Sequence, residues 1–287
     1  MANGTAAAPE PISSATVILL RDAAGGPEVF LLKRHGLSDV LGGAYVFPGG
    51  KTDPMDQDFV GRIDQPLAPL HAALGEPQLD EIEAAALHVA AIREAFEEAG
   101  VLFADVDWAR VRPAWDALRA GQSFAEVLTS LQARLTPDRL VPWSRWITPV
   151  ASLRMRKRFD TRFFVAEVPE GQDPAHDTHE TTESAWLAPR AALEQYWARQ
   201  IDLAPPQILT LAHLSRYGDV ASVLADARRA PPPVILPEAF EQDGLRVLCF
   251  PGDERHSVPV RALPGTLRLC WRDERFEPVE GYEGLFR

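Results

Sequence analysis

Short apolar runs bounded by turn-forming residues open the chain and predict strands. The runs at 16–20 and 28–33 flank a segment rich in glycine, so we expect two strands there. A third apolar run at 44–47 ends at a Pro-Gly-Gly sequence, where the chain must turn. Residues 1–13 are small and weakly hydrophobic, and we expect them to form a loose tail.

Helical periodicity dominates the middle of the chain. The longest pattern covers 80–99, is rich in alanine and is followed by Gly100, a residue that commonly ends a helix. The other predicted helices cover 108–119, 123–135, 191–200, 206–217 and 219–229. The other predicted strands cover 145–150, 161–168, 184–187, 234–236, 246–250 and 266–271. Strands and helices mix without strict alternation, which favours the α/β class with a mixed sheet packed by helices.

Proline marks the breaks in this pattern. Residues 51–79 have no clear period and contain four prolines, so we expect an irregular excursion there. Three consecutive prolines at 231–233 separate a main domain at 14–230 from a β-rich annex at 231–287. We expect the annex to pack on the same domain, and a role for it in a homodimer contact stays open.

Composition excludes several classes of function. A net charge of −12 argues against a dedicated nucleic-acid binder. No apolar run approaches the ~20 residues that cross a bilayer, so we expect no membrane partner. The first residues lack a secretory signal, which favours a cytoplasmic protein. Cys249 and Cys270 cannot build a disulfide scaffold; reduced thiols are the simpler interpretation, and a single bridge between them stays open.

Three glutamates near the end of the longest predicted helix are the first residues that indicate a functional site. Glu94, Glu97 and Glu98 share one helical face, because residues three and four apart are neighbours. Like charges at this spacing repel by roughly 0.2–0.5 kcal/mol, and each carboxylate in a last turn opposes the helix dipole by about 0.3–1 kcal/mol. A bound divalent cation would offset this cost. The alternative is a solvated acidic face with Arg93 as a surface ion-pair partner.

A pair of glycines favours the metal interpretation over the solvated face. Gly49 and Gly50 follow a predicted strand, and they allow a sharp turn and a close approach of the backbone to a ligand or a metal. By itself this pair would indicate only a turn. Together with the acidic helix it predicts a site.

These residues resemble the signature of the Nudix hydrolases, Gly-x5-Glu-x7-Arg-Glu-U-x-Glu-Glu-x-Gly-U, in which U is apolar. Residues 93–101 fill every fixed position of its second half, and Gly50 fits its first glycine. Asp56 stands where the signature has its first glutamate. However, 36 residues lie between Asp56 and Arg93 where the signature has seven, so the role of Asp56 stays open.

A longer resemblance narrows the branch of the family. Together with the signature, the stretches at 146–149, 159–164 and 203–207 are similar to the organellar coenzyme A diphosphatases of animals and their bacterial relatives. The resemblance implies a Nudix α/β/α sandwich with a mixed sheet, a long insertion inside the signature at about 57–79 and a small β-rich C-terminal annex. Because the insertion lies between two segments of the expected site, we expect it to border the pocket.

The resemblance also implies the reaction and the residues that carry it. It implies hydrolysis of the pyrophosphate bond of a small nucleotide conjugate, coenzyme A or acyl-CoA, to 3′,5′-ADP and (acyl-)phosphopantetheine. The expected ligands of Mg²⁺ or Mn²⁺ are Glu94, Glu97, Glu98 and the carbonyl of Gly49. The expected catalytic residues are Glu98, Glu97, Arg93 and Glu180. In this set Arg93 orients a glutamate, and either Glu98 or Glu180 takes the proton of the attacking water.

Basic residues in this acidic chain are candidates for phosphate binding. The most basic stretch is 154–162, and its Arg158 and Arg162 lie within a family-like segment. Arg34 ends a predicted strand and keeps the register of an upstream coenzyme A signature. We therefore expect Arg34, Arg158 and Arg162 to bind substrate, and the alternative is a set of solvated surface charges.

Two other functions stay open at the level of the sequence. ADP-ribose or a dinucleoside polyphosphate could be the substrate. A protein of another class, which senses a nucleotide with this fold but does not hydrolyse it, is the second alternative. The complete set from Arg93 to Glu98 argues against the sensor.

Overall fold

A mixed sheet of eight strands forms the centre of the protein, in a computed structural model that describes residues 9–36, 42–150, 157–177 and 181–287. In chain order the strands are β1 (Ile12–Ala23), β2 (Gly26–Arg34), β3 (Tyr45–Val46), β4 (Gly49–Lys51), β5 (Ala104–Asp105), β6 (Arg134–Leu135), β7 (Val141–Ile147), β8 (Phe159–Glu167), β9 (Thr181–Leu187), β10 (Val234–Ile235), β11 (Glu238–Gln242), β12 (Leu245–Cys249), β13 (Arg268–Arg272) and β14 (Arg275–Pro278). The helices are α1 (Ala68–Leu74), α2 (Glu81–Ala99), α3 (Val111–Arg119), α4 (Phe124–Leu131), α5 (Pro189–Trp197), α6 (Pro205–Leu214) and α7 (Val220–Ala227). Short 3₁₀ helices occur at Pro54–Arg62, Trp108–Arg110, Pro137–Arg139 and Tyr282–Phe286.

The central sheet combines parallel and antiparallel pairs. Its strands follow the order β10-β7-β8-β1-β2-β3, with β4 paired to β1 and β9 paired to β2. β1 runs parallel to β8 and antiparallel to β2 and β4, and β10 runs parallel to β7. The predicted mixed sheet is therefore confirmed.

Helices cover both faces of this sheet because consecutive apolar residues along its strands point to opposite faces. On β1, Val17 and Leu19 point into a core that contains α2, whereas Ile18 and Leu20 point into a second core that contains α5, α6 and α7. All four side chains are fully buried. This arrangement is the predicted α/β/α sandwich.

Local sequence signals set both ends of the helix α2. The Asp80 carboxylate accepts hydrogen bonds from the backbone N–H groups of Ile82 and Glu83, and the Glu83 side chain bonds back to the N–H of Asp80. At the other end Gly100 has φ of 69°, a conformation that glycine adopts without a steric cost. The helix ends at the predicted residue.

The insertion is more regular than its sequence suggests. Instead of an irregular excursion it contains the 3₁₀ helix Pro54–Arg62 and the helix α1. Phe59 in the 3₁₀ helix packs edge-on against Phe124 of α4, with ring centroids 5.3 Å apart. A 3₁₀ helix has about 3 residues per turn, so its apolar residues do not follow the period of about 3.6 residues of an α-helix.

Glu76 connects the insertion to the central sheet through buried ion pairs. Its carboxylate accepts two hydrogen bonds from Arg162, at 2.9 and 2.6 Å, and lies 2.7 Å from a guanidinium nitrogen of Arg145. Asp160 pairs with both arginines from the other side. This network holds the insertion against the face of the sheet from which Arg145 of β7 and Arg162 of β8 project.

The C-terminal annex is a separate antiparallel sheet of four strands in the order β11-β12-β13-β14. It shares the second core of the main domain, where Phe250 lies edge-on to Trp146 with centroids 6.0 Å apart. The Tyr196 hydroxyl on α5 donates a 2.7 Å hydrogen bond to the Phe276 carbonyl of β14. Cys249 and Cys270 are buried free thiols on neighbouring strands.

Helices of membrane-spanning length and apolarity are absent from the described ranges.

We predict that Glu76→Gln lowers the free energy of unfolding by about 3 kcal/mol, because the buried guanidinium of Arg162 and the half-buried one of Arg145 lose a shared carboxylate while Asp160 still pairs with both. Urea unfolding followed by tryptophan fluorescence measures this change. Asp116→Asn is the matched control: it removes an exposed pair with Arg112 and should cost at most about 0.5 kcal/mol. Equal losses in the two variants would contradict the structural role of Glu76.

Candidate active site

A cavity of about 1030 Å³ opens where β4 meets the C-terminal half of α2. Its wall includes five of the residues that the sequence predicted for the site: Gly49, Arg93, Glu94, Glu97 and Glu98. Backbone of Gly50 and side chains from the other layer of the sandwich complete the wall. The glycine turn and the acidic helix face therefore meet at one cavity.

Arg93 is the most highly connected residue at this wall. Its Nε and Nη2 bond the two oxygens of Asp56 at 2.8 and 3.2 Å, and its Nη1 bonds Glu94 at 2.7 Å and Glu97 at 2.9 Å. Nη2 also donates to the carbonyl of Lys51 at 2.9 Å. These contacts match the five N–H donors of a guanidinium. Arg93 therefore orients two of the glutamates, and it is not a surface ion-pair partner.

The ionic state of Arg93 is fixed by its surroundings. Burial by itself would lower the pKa of Arg93, but the hydrogen bond to Asp56 and the charges of Glu94, Asp56 and Glu97 outweigh it and raise the pKa above its ordinary value. The side chain of Arg93 is 12% exposed and that of Asp56 only 1%. Arg93 stays cationic and is held by the buried Asp56 and Glu94 and by the partly exposed Glu97.

Asp56 reaches Arg93 despite the long insertion between them. Its backbone and side chain form the first turn of the 3₁₀ helix, in which Oδ2 accepts a 2.7 Å hydrogen bond from the N–H of Asp53. Asp56 thus places a carboxylate beside Arg93 in the fold. The inserted residues begin after Asp56 and end at the start of α2. Asp56 and Arg93 are therefore close together in the fold although they are far apart in the sequence.

The two glycines are required by close packing against other residues. The N–H of Gly49 donates a 2.9 Å hydrogen bond to Oε2 of Glu98. A Cβ atom on Gly50 would lie 2.6 Å from the carboxylate of Glu94, and one on Gly49 would lie 2.6 Å from the carbonyl oxygen of Ala15. A side chain at either position would therefore displace the carboxylates or the strand β1.

The metal ligands stay a prediction. Their chemistry fits a hard divalent cation, since the carboxylates of Glu94, Glu97 and Glu98 line one cavity. As placed here, two of them bond Arg93 and the third bonds Gly49. Across the described ranges, no group of three His, Cys, Asp or Glu side chains is arranged to hold a metal ion. Glu180, the alternative base, lies outside the described residues.

Among the predicted phosphate-binding residues, Arg34 lines the cavity and two others do not. Side chains alternate along β8, so Phe159, Thr161 and Phe163 face the cavity while Arg162 faces Glu76. Arg158 donates to the carbonyls of Thr148 and Pro9, both at 2.9 Å. In this structure both guanidinium groups bond framework residues and lie away from the cavity wall, and substrate binding by Arg158 and Arg162 stays a prediction.

The structure bears on two more expectations about the cavity, which concern the insertion and the basic stretch at 154–162. The insertion at about 57–79 contributes no residue to the described wall, so the prediction that it borders the pocket is wrong. It packs against α2 and β8 instead, on the other side of the sheet. Of the basic stretch at 154–162, Lys157 lines the cavity, and residues 151–156 lie outside the described ranges.

Sequence reasoning missed the part of the wall that comes from the second layer. Gln207 at the start of α6 lines the cavity, as do annex side chains that include Arg246, Trp271 and Phe276. Gln207 and its neighbours at 203–206 carried a signal, because they form the family-like stretch at 203–207. The annex has no motif, and its strand pattern gave no indication of which face meets the cavity.

Comparison with known proteins supports the family. A sequence model of the NUDT19 Nudix domain matches residues 60–214. Acyl-coenzyme A diphosphatase NUDT19 of Gallus gallus is 30% identical over 264 residues, which cover 72% of this chain and 68% of the relative. The Homo sapiens protein of the same name is 29% identical over 280 residues, covering 80% and 72%.

A solved structure shares the fold. The Nudix hydrolase of Alicyclobacillus acidocaldarius superposes with a TM-score of 0.61 at 24% identity, over 75% of this chain and 96% of that one. At this identity the similarity shows only the fold, and the assignment to a family rests on the sequence matches. The chain is a Nudix hydrolase and belongs to the NUDT19 Nudix domain family.

Proposed function

We propose that this enzyme cleaves the pyrophosphate bond of coenzyme A or acyl-CoA and releases 3′,5′-ADP and (acyl-)phosphopantetheine. The observation that carries the proposal is the shared cavity: the Nudix glutamates and a long, partly apolar wall from the second layer enclose one space of about 1030 Å³. The relatives named acyl-coenzyme A diphosphatase support the same substrate class.

The cavity provides for both the charged and the apolar parts of such a substrate. Arg34 and Lys157 lie in its wall and would neutralise phosphate oxygens in a protein whose net charge is −12. Apolar side chains such as Phe47, Trp146 and Phe163 offer a dry surface for a pantetheine or acyl chain. A site for a small polyphosphate alone would not need this surface.

Nudix hydrolases use divalent metal ions, and the residues for one are present here. Glu94, Glu97, Glu98 and the carbonyl of Gly49 would hold Mg²⁺. When bound, the cation would neutralise phosphoryl oxygens and lower the pKa of a bound water. In the proposed reaction Glu98 takes the proton of that water, and Glu180 stays the alternative base.

The remaining residues prepare this proton transfer. Arg93 fixes the side chains of Glu94 and Glu97, and Asp56 fixes Arg93. The N–H of Gly49 holds Oε2 of Glu98 at the wall of the cavity. In this proposal Arg93 and Asp56 are positioning residues, because they act through the glutamates.

The substrate class is tested with a panel of coenzyme A, a short and a long acyl-CoA, ADP-ribose and a dinucleoside polyphosphate at matched concentrations with Mg²⁺. Mass spectrometry identifies the products. The proposal expects the highest kcat/KM for a coenzyme A compound and the products 3′,5′-ADP and phosphopantetheine or its acyl form. A clear preference for ADP-ribose would reject the proposed substrate.

We predict that Glu98→Gln lowers kcat for coenzyme A hydrolysis by about 10²–10⁴-fold, because the amide can neither accept the proton nor bind the cation as a carboxylate does. Steady-state release of 3′,5′-ADP measures the loss. Glu81→Gln, an exposed change in the first turn of the same helix, is the matched control and should keep the wild-type rate. Wild-type turnover by Glu98→Gln would exclude Glu98 as base and ligand. If neither protein hydrolyses a nucleotide that both bind, the sensor function is favoured.

We predict that Asp56→Asn lowers kcat by about 10-fold or more while KM changes less, since a weakened anchor misplaces Arg93 and the two glutamates it holds. Asp56→Glu keeps the carboxylate and should recover part of the rate, whereas Asp58→Asn, an exposed neighbour, should change nothing. The measurement is kcat and KM for coenzyme A, with thermal unfolding in parallel. A loss of stability without a loss of kcat in the folded fraction would contradict the positioning role.

A further inference from the structure

The annex sheet presents a row of side chains to the active-site cavity. Val247 pairs with Cys270 across β12 and β13, so the next pair along this antiparallel register is Arg246 with Trp271. Trp271 pairs in turn with Phe276 on β14. Directly opposed residues share one face of a sheet, and all three of these side chains line the cavity. The row lies outside the residues 60–214 that match the family.

The aromatic half of the row forms a continuous surface. The rings of Trp271 and Phe276 have centroids 4.8 Å apart at an interplanar angle of 65°. Leu248, two residues beyond Arg246 on the same face of β12, extends the surface toward the second core. A planar group of a ligand could pack against this surface.

Arg246 brings a cation to the same face. It is half-buried, and among the described residues its guanidinium makes no hydrogen bond or ion pair. Neighbouring annex arginines are engaged: Arg275 bonds Glu277 and two carbonyls of α5, and Arg268 bonds Asp253. A half-buried guanidinium in a cavity wall favours an anionic ligand.

Gln207 adds a hydrogen-bond acceptor to this part of the cavity. Its side chain is 6% exposed and lines the cavity, and its Oε1 has no hydrogen-bond partner in the described part of the chain. A buried acceptor without a donor destabilises the folded protein. The amide therefore fits a ligand that supplies an N–H group.

We infer that Arg246, Trp271 and Gln207 recognise the phosphorylated adenosine end of the substrate, an inference that rests on the proposed function. Adenine is planar and carries an exocyclic amine that Gln207 could accept from. The 3′-phosphate of coenzyme A is a second anion, separate from the pyrophosphate at α2, and it would pair with Arg246. The pantetheine end has neither a planar base nor a phosphate, so it would leave both groups unmatched.

The first test compares coenzyme A with 3′-dephospho-coenzyme A. Arg246→Gln should lower kcat/KM for coenzyme A by about 10- to 100-fold, mainly through KM, and should leave the 3′-dephospho compound within about twofold. The wild-type preference for the 3′-phosphate should disappear. Arg272→Gln is the matched control, because Arg272 follows Trp271 on β13, points to the other face and does not line the cavity.

The second test concerns the acceptor of Gln207. Gln207→Met keeps the volume but removes the acceptor, so it should reduce the preference of the enzyme for an adenine conjugate over its hypoxanthine counterpart. Thermal unfolding shows whether this buried variant folds. If it does not fold, the Arg246 comparison decides the inference by itself.

The outcomes separate this inference from the proposed function. A wild-type enzyme that hydrolyses both coenzyme A compounds equally, or an Arg246→Gln variant that loses both to the same extent or neither, overturns the inference and leaves the proposed function in place. A wild-type enzyme that hydrolyses neither compound rejects the proposed function.

Discussion

The guanidinium of Arg93 is the interaction on which the catalytic wall depends. Three glutamates in the last turns of α2 repel each other and oppose the helix dipole, so they need a compensating charge even before a cation is considered. Arg93 supplies part of it from within the same helix, and Asp56, Glu94 and Glu97 hold its guanidinium in place. A lysine could not replace it, since an ammonium has three donors and no planar fork.

This anchor also explains how the family signature tolerates a long insertion. Asp56 places a carboxylate beside Arg93 from the first turn of the 3₁₀ helix Pro54–Arg62, which begins soon after β4. The segment between Asp56 and the capping box of α2 can therefore be longer, provided that it brings the chain back to Asp80. Glu76 fixes this extra segment on β8 through Arg162 and Arg145. The insertion is thus held by its own buried ion pairs and imposes nothing on the cavity.

The sequence predicted those features that rest on local patterns. The strands at β1 and β2, the helix α2 with its Gly100 stop, and the meeting of Gly49 with Glu98 follow from periodicity, capping and motif spacing. The sequence did not predict which face of the sheet a given side chain points to. Arg162 is one residue away from Thr161, and alternation along β8 sends one to the cavity and the other to Glu76. A one-residue shift in strand phase could not be detected from composition, and neither could the partner of Asp56.

The two layers of the sandwich divide the work between chemistry and recognition. Residues that bind metal and move a proton must keep fixed mutual distances, and the residues proposed for these roles lie in one helix and one turn, where they form a recognisable motif. Residues that recognise the rest of a ligand need only face the same space, and segments far apart in sequence can supply them. In the inference drawn above, Gln207 and the Arg246 row have this role, and they line the cavity from α6 and the annex. Because β1 contributes alternate side chains to both cores, the central sheet holds the two groups at a fixed separation.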